Sequence, residues 1–264
     1  MINTNTVLLN QEDGVATITL NRPETMNAMT NELMRGISQA LEAVQSTEDI
    51  RVVVLTGTGR GFCAGADLVQ AAEPKKKVTD VSKQTDDFTA AMRALMDCPV
   101  PTIARINGPA AGGGFGLALA CDITVAAHSA FFVATFGPNL GIVPDMGATW
   151  NIPLRVGRAR ALGITLLGDR ISAEQALQWG MIWDAVDDSE LDSRVAEIAA
   201  VLKRSSPNAV TRTRQTIDAA VHNTFSDQLD LEMTHQAVLI PKNMQAGAKA
   251  FLAKTKAEFS GERE

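Results

Sequence analysis

The hydrophobic and polar positions first alternate at Val15-Ala16-Thr17-Ile18-Thr19-Leu20, which predicts a strand with one buried face. Asn21-Arg22-Pro23-Glu24 breaks it. Leu33, Ile37, Leu41 and Val44 then recur at helical spacing, and Thr30 stands where that helix would be capped. Arg51-Val52-Val53-Val54-Leu55-Thr56 is a continuous β-branched run of the kind covered on both faces. Residues 71–84 are polar and predict a mobile loop. Helical periodicity resumes from Asp86 to Leu95 and stops by Cys98. Short apolar runs at 102–106, 123–126 and 131–134 predict further strands, and a small-residue helix is expected to run through Leu117 to Ala120. From Arg158 onward the pattern reads as almost wholly helical, with Ser172-Ala173-Glu174-Gln175 as a capping box and Gly180 as a stop.

This order predicts an α/β fold of repeated β-β-α units around one core, followed by a helical extension over the last sixty or so residues. The expected division is a core over residues 1–200 and a helical region over residues 201–264. No tandem repeat or low-complexity linker interrupts it.

Two glycine-rich segments carry the candidate chemistry. Gly61-Phe62-Cys63-Ala64-Gly65-Ala66-Asp67-Leu68 and Ala110-Ala111-Gly112-Gly113-Gly114-Phe115-Gly116 each follow a strand-like run and lead towards a helix-like one. They can be tight turns that permit close helix packing. They can also bring two backbone N–H groups to one developing negative oxygen, each donor contributing roughly 3–4 kcal/mol to a transition state.

Composition narrows the choices. The 264 residues carry a net charge of −6, which argues against a nucleic-acid role. No apolar run is long enough to span a membrane. Three cysteines, an odd number without metal spacing, fit a reducing cytoplasm, and no basic-then-apolar leader is expected at the start. Tyrosine is absent, so proton chemistry falls to carboxylates, lysines, cysteines or the three histidines. His128, His222 and His235 show no ligand spacing, so no metal is expected. Cys63 is a conceivable nucleophile, but no histidine accompanies it in sequence. Neither a phosphate-binding G-x-x-x-x-G-K loop nor a serine-hydrolase elbow is present.

The first glycine segment, together with Ile106-Asn107-Gly108-Pro109-Ala110-Ala111-Gly112-Gly113-Gly114, resembles the two signatures of the crotonase (enoyl-CoA hydratase/isomerase) superfamily. The resemblance runs from Leu20-Asn21-Arg22-Pro23 to Phe251-Leu252-Ala253-Lys254. It implies the crotonase (ClpP-like) spiral, with the C-terminal helices serving trimerisation, and a homotrimer or homohexamer. It implies an acyl-CoA substrate, coenzyme A arriving as part of that substrate and no permanently bound cofactor. The thioester oxygen would be held by the N–H groups of Ala66 and Gly113, with the coenzyme A along Ala64, Gly65, Ala66, Asp67 and Leu68. Phe251 and Lys254 match positions that reach a neighbouring subunit's coenzyme A, although helix packing and an exposed charge are their plainer roles. Asp67 is expected to support its loop rather than react. Lys75-Lys76-Lys77 could meet the coenzyme A phosphates or simply be solvated.

Hydratases of this family use two glutamates. The matching positions here are Gly116 and the neighbourhood of Phe136-Gly137, and neither holds an acid. Asp145, in Val143-Pro144-Asp145-Met146-Gly147, stands where family isomerases place their single acid, although an aspartate there could also cap the next helix. The resemblance therefore implies an isomerase that moves a proton through a thioester enolate, with burial beneath the acyl chain raising the Asp145 pKa. The wording around Gly61, Asp145 and Gly157 looks most like the ring-opening isomerases that act on the epoxide of phenylacetyl-CoA. Phe132, Phe136 and the Trp150 region are candidate walls of the acyl pocket, or core. A hydratase, a thioester hydrolase and a non-catalytic coenzyme A- or RNA-binding relative are the other readings.

Overall fold

The β-branched run becomes the inner strand of a sheet. In the computed structural model, which describes residues 5–72 and 86–263, β3 (Val52–Gly57) is buried at all six positions. The sheet has the order β1-β2-β3-β4-β6-β9, with β1 (Val7–Glu12), β2 (Val15–Leu20), β4 (Thr102–Ile106), β6 (Ile123–Ala127) and β9 (Asp184–Val186). Only the β1–β2 pair is antiparallel; the others run parallel, as expected of strands covered on both sides. A smaller sheet, β5-β7-β8, comprises β5 (Ala110–Ala111), β7 (Phe131–Val133) and β8 (Ile171–Ser172).

Helix α1 (Asn31–Gln45) forms where its apolar stripe predicts it. Thr30 accepts a cap hydrogen bond from the Leu33 N–H at 3.2 Å, and Leu33, Met34, Ile37, Leu41 and Val44 are buried. Burying each such side chain contributes about 1.5–3 kcal/mol. After the short α2 (Leu68–Ala71), α3 (Asp87–Met96) packs along α1, capped by Asp86. The stretch expected to be a mobile loop, with Lys75-Lys76-Lys77, lies outside the described residues from position 73 onward.

The region from Arg158 onward departs in part from the helical expectation. Helix α6 (Ala148–Leu167) follows α4 (Gly113–Leu119) and α5 (Gly137–Leu140), and it is broken at Gly157, whose φ of 75° no helix contains. Strands β8 and β9 then interrupt what reads as continuous helix. They are two and three residues long, too short for alternation to register. Ser172 does cap α7 (Ala173–Gln178) through the Gln175 N–H, and Gly180 follows it with a positive φ.

Beyond α8 (Leu191–Leu202) come α9 (Pro207–Ala219), α10 (Phe225–Leu239) and α11 (Gln245–Ala253). Helices α10 and α11 bury no residue within the chain. Charge-assisted hydrogen bonds hold this region to the core. Arg214 of α9 pairs with Asp122 and donates to the carbonyls of Cys98 and Val100, and Asp122 also accepts from the Thr102 N–H. Arg263 donates to the carbonyls of Val44 and Gln45 at the end of α1 and of Thr47 and Ile50 just beyond it. Arg51 donates to Ser205 and Phe259.

Arg214→Ala leaves Asp122 and two carbonyls short of a donor in a partly buried setting. We expect a loss of about 1–3 kcal/mol, read as a lower urea midpoint at unchanged m-value.

Candidate active site

The site is built on the turn after β2. Met26 and Asn27 adopt left-handed backbone, with φ of 51° and 58°. Asn27 is fully buried; it accepts from the Arg22 N–H at 2.8 Å and donates to the carbonyls of Thr58 and Gly61 at 3.0 and 2.9 Å. The Arg22 guanidinium donates to the Ala28 carbonyl and pairs with Asp67 at 2.9 Å. Asp67 also accepts from the Val69 N–H at 3.1 Å at the start of α2. It therefore supports its loop, in line with the sequence.

The first glycine loop is stitched to this turn by main chain. The Met29 N–H donates to Gly65 at 2.7 Å and the Asp67 N–H donates to Met29 at 2.9 Å. In a trans peptide the C=O and N–H point opposite ways. Because the Gly65 carbonyl faces Met29, the Ala66 N–H on the same peptide faces away from it. Cys63 ties the first loop to the second, donating to Pro109 at 3.1 Å and accepting from Ala111 at 2.9 Å.

The two loops meet backbone to backbone. A Cβ on Gly65, whose φ is 93°, would lie 2.8 Å from the Ala111 oxygen and 3.4 Å from the Gly113 nitrogen. A Cβ on Gly112 would lie 3.9 Å from the Gly65 Cα. Among the described residues, neither the Ala66 N–H nor the Gly113 N–H has an acceptor. The peptide behind Gly113 is itself polarised, since the Gly112 carbonyl accepts from Phe115 at 3.0 Å in the first turn of α4. The two unused donors thus lie on adjoining loops.

Met146, the neighbour of Asp145 in the chain, packs against the second loop. A Cβ on Gly116 would overlap the Met146 carbonyl and lie 2.8 Å from the Met146 Cβ, and a Cβ on Gly113 would lie 3.1 Å from the Met146 Cγ. Met146, held at a φ of 52°, is therefore wedged onto the first turn of α4, with Asp145 beside it. The helix-cap alternative for Asp145 is corrected: the N-cap of α6 is Gly147, and no side chain caps it. Asp145 is exposed in the free chain, yet surrounding protein desolvates its carboxyl enough to raise its pKa, and the Asp86 carboxylate raises it further.

The remaining candidates separate by burial. Phe132 is fully buried against Phe115, with ring centroids 5.3 Å apart, and Phe136 is buried too, so both belong to the core. Trp150 is 44% exposed on the first turn of α6 and remains available to a ligand. Cys63 is completely buried and its thiol is pushed up to about 12, which makes it a poor nucleophile. Ala66 and Leu68 are exposed and Ala64 is partly so, leaving the outer edge of the first loop open. Phe251 is 83% exposed at the end of α11. No hydrogen bond or ion pair joins Lys254 to the glycine loops among the described residues. The Arg22–Asp67 pair and the buried Asn27 went unanticipated. Arg22 stands in Asn21-Arg22-Pro23-Glu24, which reads only as a strand breaker, and no sequence signal marks Asn27.

Gly116→Ala forces Met146 and the Asp145 turn outward. We expect a loss of about 1–3 kcal/mol from overpacking, seen as a lower melting temperature, together with reduced turnover. Gly116→Glu is expected to fail in the same way without gaining water addition.

Residues 10–262 match the enoyl-CoA hydratase/isomerase family. The chain is 42% identical over 258 residues to the 1,2-epoxyphenylacetyl-CoA isomerase of Escherichia coli K12, covering 97% of this chain and 98% of that one. It is 37% identical over 250 residues to a "probable enoyl-CoA hydratase" of Rhodobacter capsulatus, covering 94% and 95%. Among solved structures it is similar to an enoyl-CoA hydratase subunit of Geobacillus kaustophilus, at a TM-score of 0.88 and 33% identity over 97% and 98% of the two chains. An enoyl-CoA hydratase of Polaromonas sp. JS666 gives 0.89 and 32% over 96% and 99%. With two glycine loops meeting at free backbone donors and a match along nearly its whole length, the chain belongs to the enoyl-CoA hydratase/isomerase family and has the crotonase fold.

Proposed function

We propose that this enzyme isomerises an acyl-CoA thioester, shifting a double bond or opening an epoxide-fused ring, with Asp145 carrying the proton. The carrying observation is the Met146 wedge. It fills the space that a side chain at position 116 would need, and the residue before it in the chain is the carboxylate Asp145. Asp145 removes a proton from the carbon next to the thioester carbonyl, and the electron pair passes into the carbonyl oxygen. Ala66 and Gly113 N–H stabilise that enolate oxygen. For a 3-enoyl thioester, the electrons return through the conjugated system to the γ-carbon, which takes the proton back from Asp145, and the double bond has moved. No atom is gained or lost. A raised pKa suits a carboxylate that must both accept and return the proton. The E. coli relative's name favours the ring-opening substrate.

Phe225 at 80% exposed, with Met233, Met244, Phe251 and Leu252 also exposed, supports association of the C-terminal helices with further copies. In that assembly, a trimer or a pair of trimers, Phe251 and Lys254 would reach coenzyme A bound to a neighbour, as Ala64 to Leu68 would bind it within the chain. The acidic chain and reducing-compatible cysteines fit action in the cytoplasm.

The relatives named as hydratases supply the second reading, water addition, and labelled water separates the two. Asp145→Asn should lower isomerase kcat at least about 100-fold with little change in KM, the scale of general acid–base catalysis, and wild-type product formed in heavy-oxygen water should carry no solvent oxygen. Intact activity in that variant removes Asp145 from the mechanism. Labelled hydroxyacyl product selects hydration.

The catalytic base must be ionised, so a raised Asp145 pKa places the acid limb of kcat/KM above the ordinary carboxylate range. Asp86→Asn keeps the helix cap and removes the like charge, so the limb should move to lower pH. A pH–rate profile of the two proteins checks this, and an unmoved limb counts against it.

A further inference from the structure

Two donors that act on one oxygen must keep a fixed spacing, yet Ala66 and Gly113 stand on loops far apart in sequence. Noncovalent packing has to set that spacing, and Met29 touches both loops. Its backbone brackets Ala66 through the bonds to Gly65 and Asp67, in a parallel bridge. Its side chain is 2% exposed and runs to the second loop, where a Cβ on Gly113 would overlap the Met29 methyl and lie 3.8 Å from its sulfur. The Met146 Cγ lies 3.1 Å from the same Cβ position, so two thioether side chains crowd that face of Gly113. Thioethers are adaptable fillers of irregular gaps.

We infer that Met29 is the positioning residue that sets the spacing of the two oxyanion donors, fixing Ala66 through its backbone and Gly113 through its side chain. There is an electronic part as well. The Met29 N–H bonds to the oxygen of the peptide whose N–H belongs to Ala66, and a hydrogen bond accepted at one end of a peptide strengthens the donor at the other. The inference rests on the proposed function only in taking Ala66 and Gly113 as donors to the thioester oxygen. Arg22 acts one step further out, clasping Ala28 and Asp67 on either side of the bridge.

The test uses the full-length protein and a saturated acyl-CoA carrying ¹³C at the thioester carbonyl, which binds without isomerising. Difference infrared spectra report the carbonyl stretch, and turnover of a 3-enoyl-CoA is measured alongside. Wild type should lower the stretch relative to free thioester. Met29→Ala should lose much of that downshift and lower kcat about tenfold, a fraction of what a 1 Å misplacement costs, while KM stays within about twofold. Met29→Leu, which restores most of the volume, should recover both readouts. If the alanine variant does not fold, Met29→Val carries the same measurements. A wild-type stretch and kcat in the shortened variant overturn the inference, as does a leucine variant no better than alanine. A wild-type spectrum without any downshift overturns the donor assignment itself, and the inference with it.

Discussion

Everything at this site depends on one steric constraint, the main-chain contact between two glycine loops. A side chain at Gly65 would enter the space of the opposite loop at the Ala111 carbonyl, and one at Gly112 would meet the Thr135 hydroxyl. Removing those side chains lets two N–H groups that belong to different parts of the chain lie unspent on adjoining loops. The sheet bears the load of this arrangement. Strands β3 and β4 are parallel neighbours, so the loops that leave their ends emerge on the same side of the sheet.

The acid enters by a second constraint of the same kind. Met146 occupies the volume next to Gly113 and Gly116, and Asp145 precedes it in the chain. A glutamate at position 116 and the Asp145 turn in its present path exclude one another. Where the family resemblance implies a hydratase glutamate, this chain has Gly116, and Met146 packs in the space beside it. One carboxylate beside two amide donors is enough to move a proton within a thioester, whereas water addition asks for a second group to activate the water.

Much of the fold was legible because its strongest elements carry long, regular patterns. Six buried positions in β3 and a cap with seven buried residues in α1 leave little ambiguity. Strands β8 and β9 were not legible, since two or three residues show no period. Strand β1 buries only Val7 and Leu9 before turning polar, and so gives no sustained alternation. At the site, Ala66, Gly113 and Asp145 came from family resemblance, and local pattern alone left turns and helix caps open as alternatives. The structure closes the cap alternative with Gly147. Arg22, Asn27 and Met29 could not be read at all, because what they do depends on contacts between residues far apart in the chain, as with Asn27 to Gly61 and Arg22 to Asp67, or across two loops. The clasp of Arg263 on the end of α1 is the same case at longer range.

The central claim is that this site forms a thioester enolate with Asp145 as base and the Ala66 and Gly113 amides as its oxyanion partners. Exchange of the α-proton of phenylacetyl-CoA in heavy water, followed by proton NMR, tests it most directly, because exchange needs the enolate and nothing after it. The account predicts enzyme-dependent loss of the α-proton signal that disappears in Asp145→Asn. No exchange above the buffer rate, or equal exchange in the variant, would contradict it.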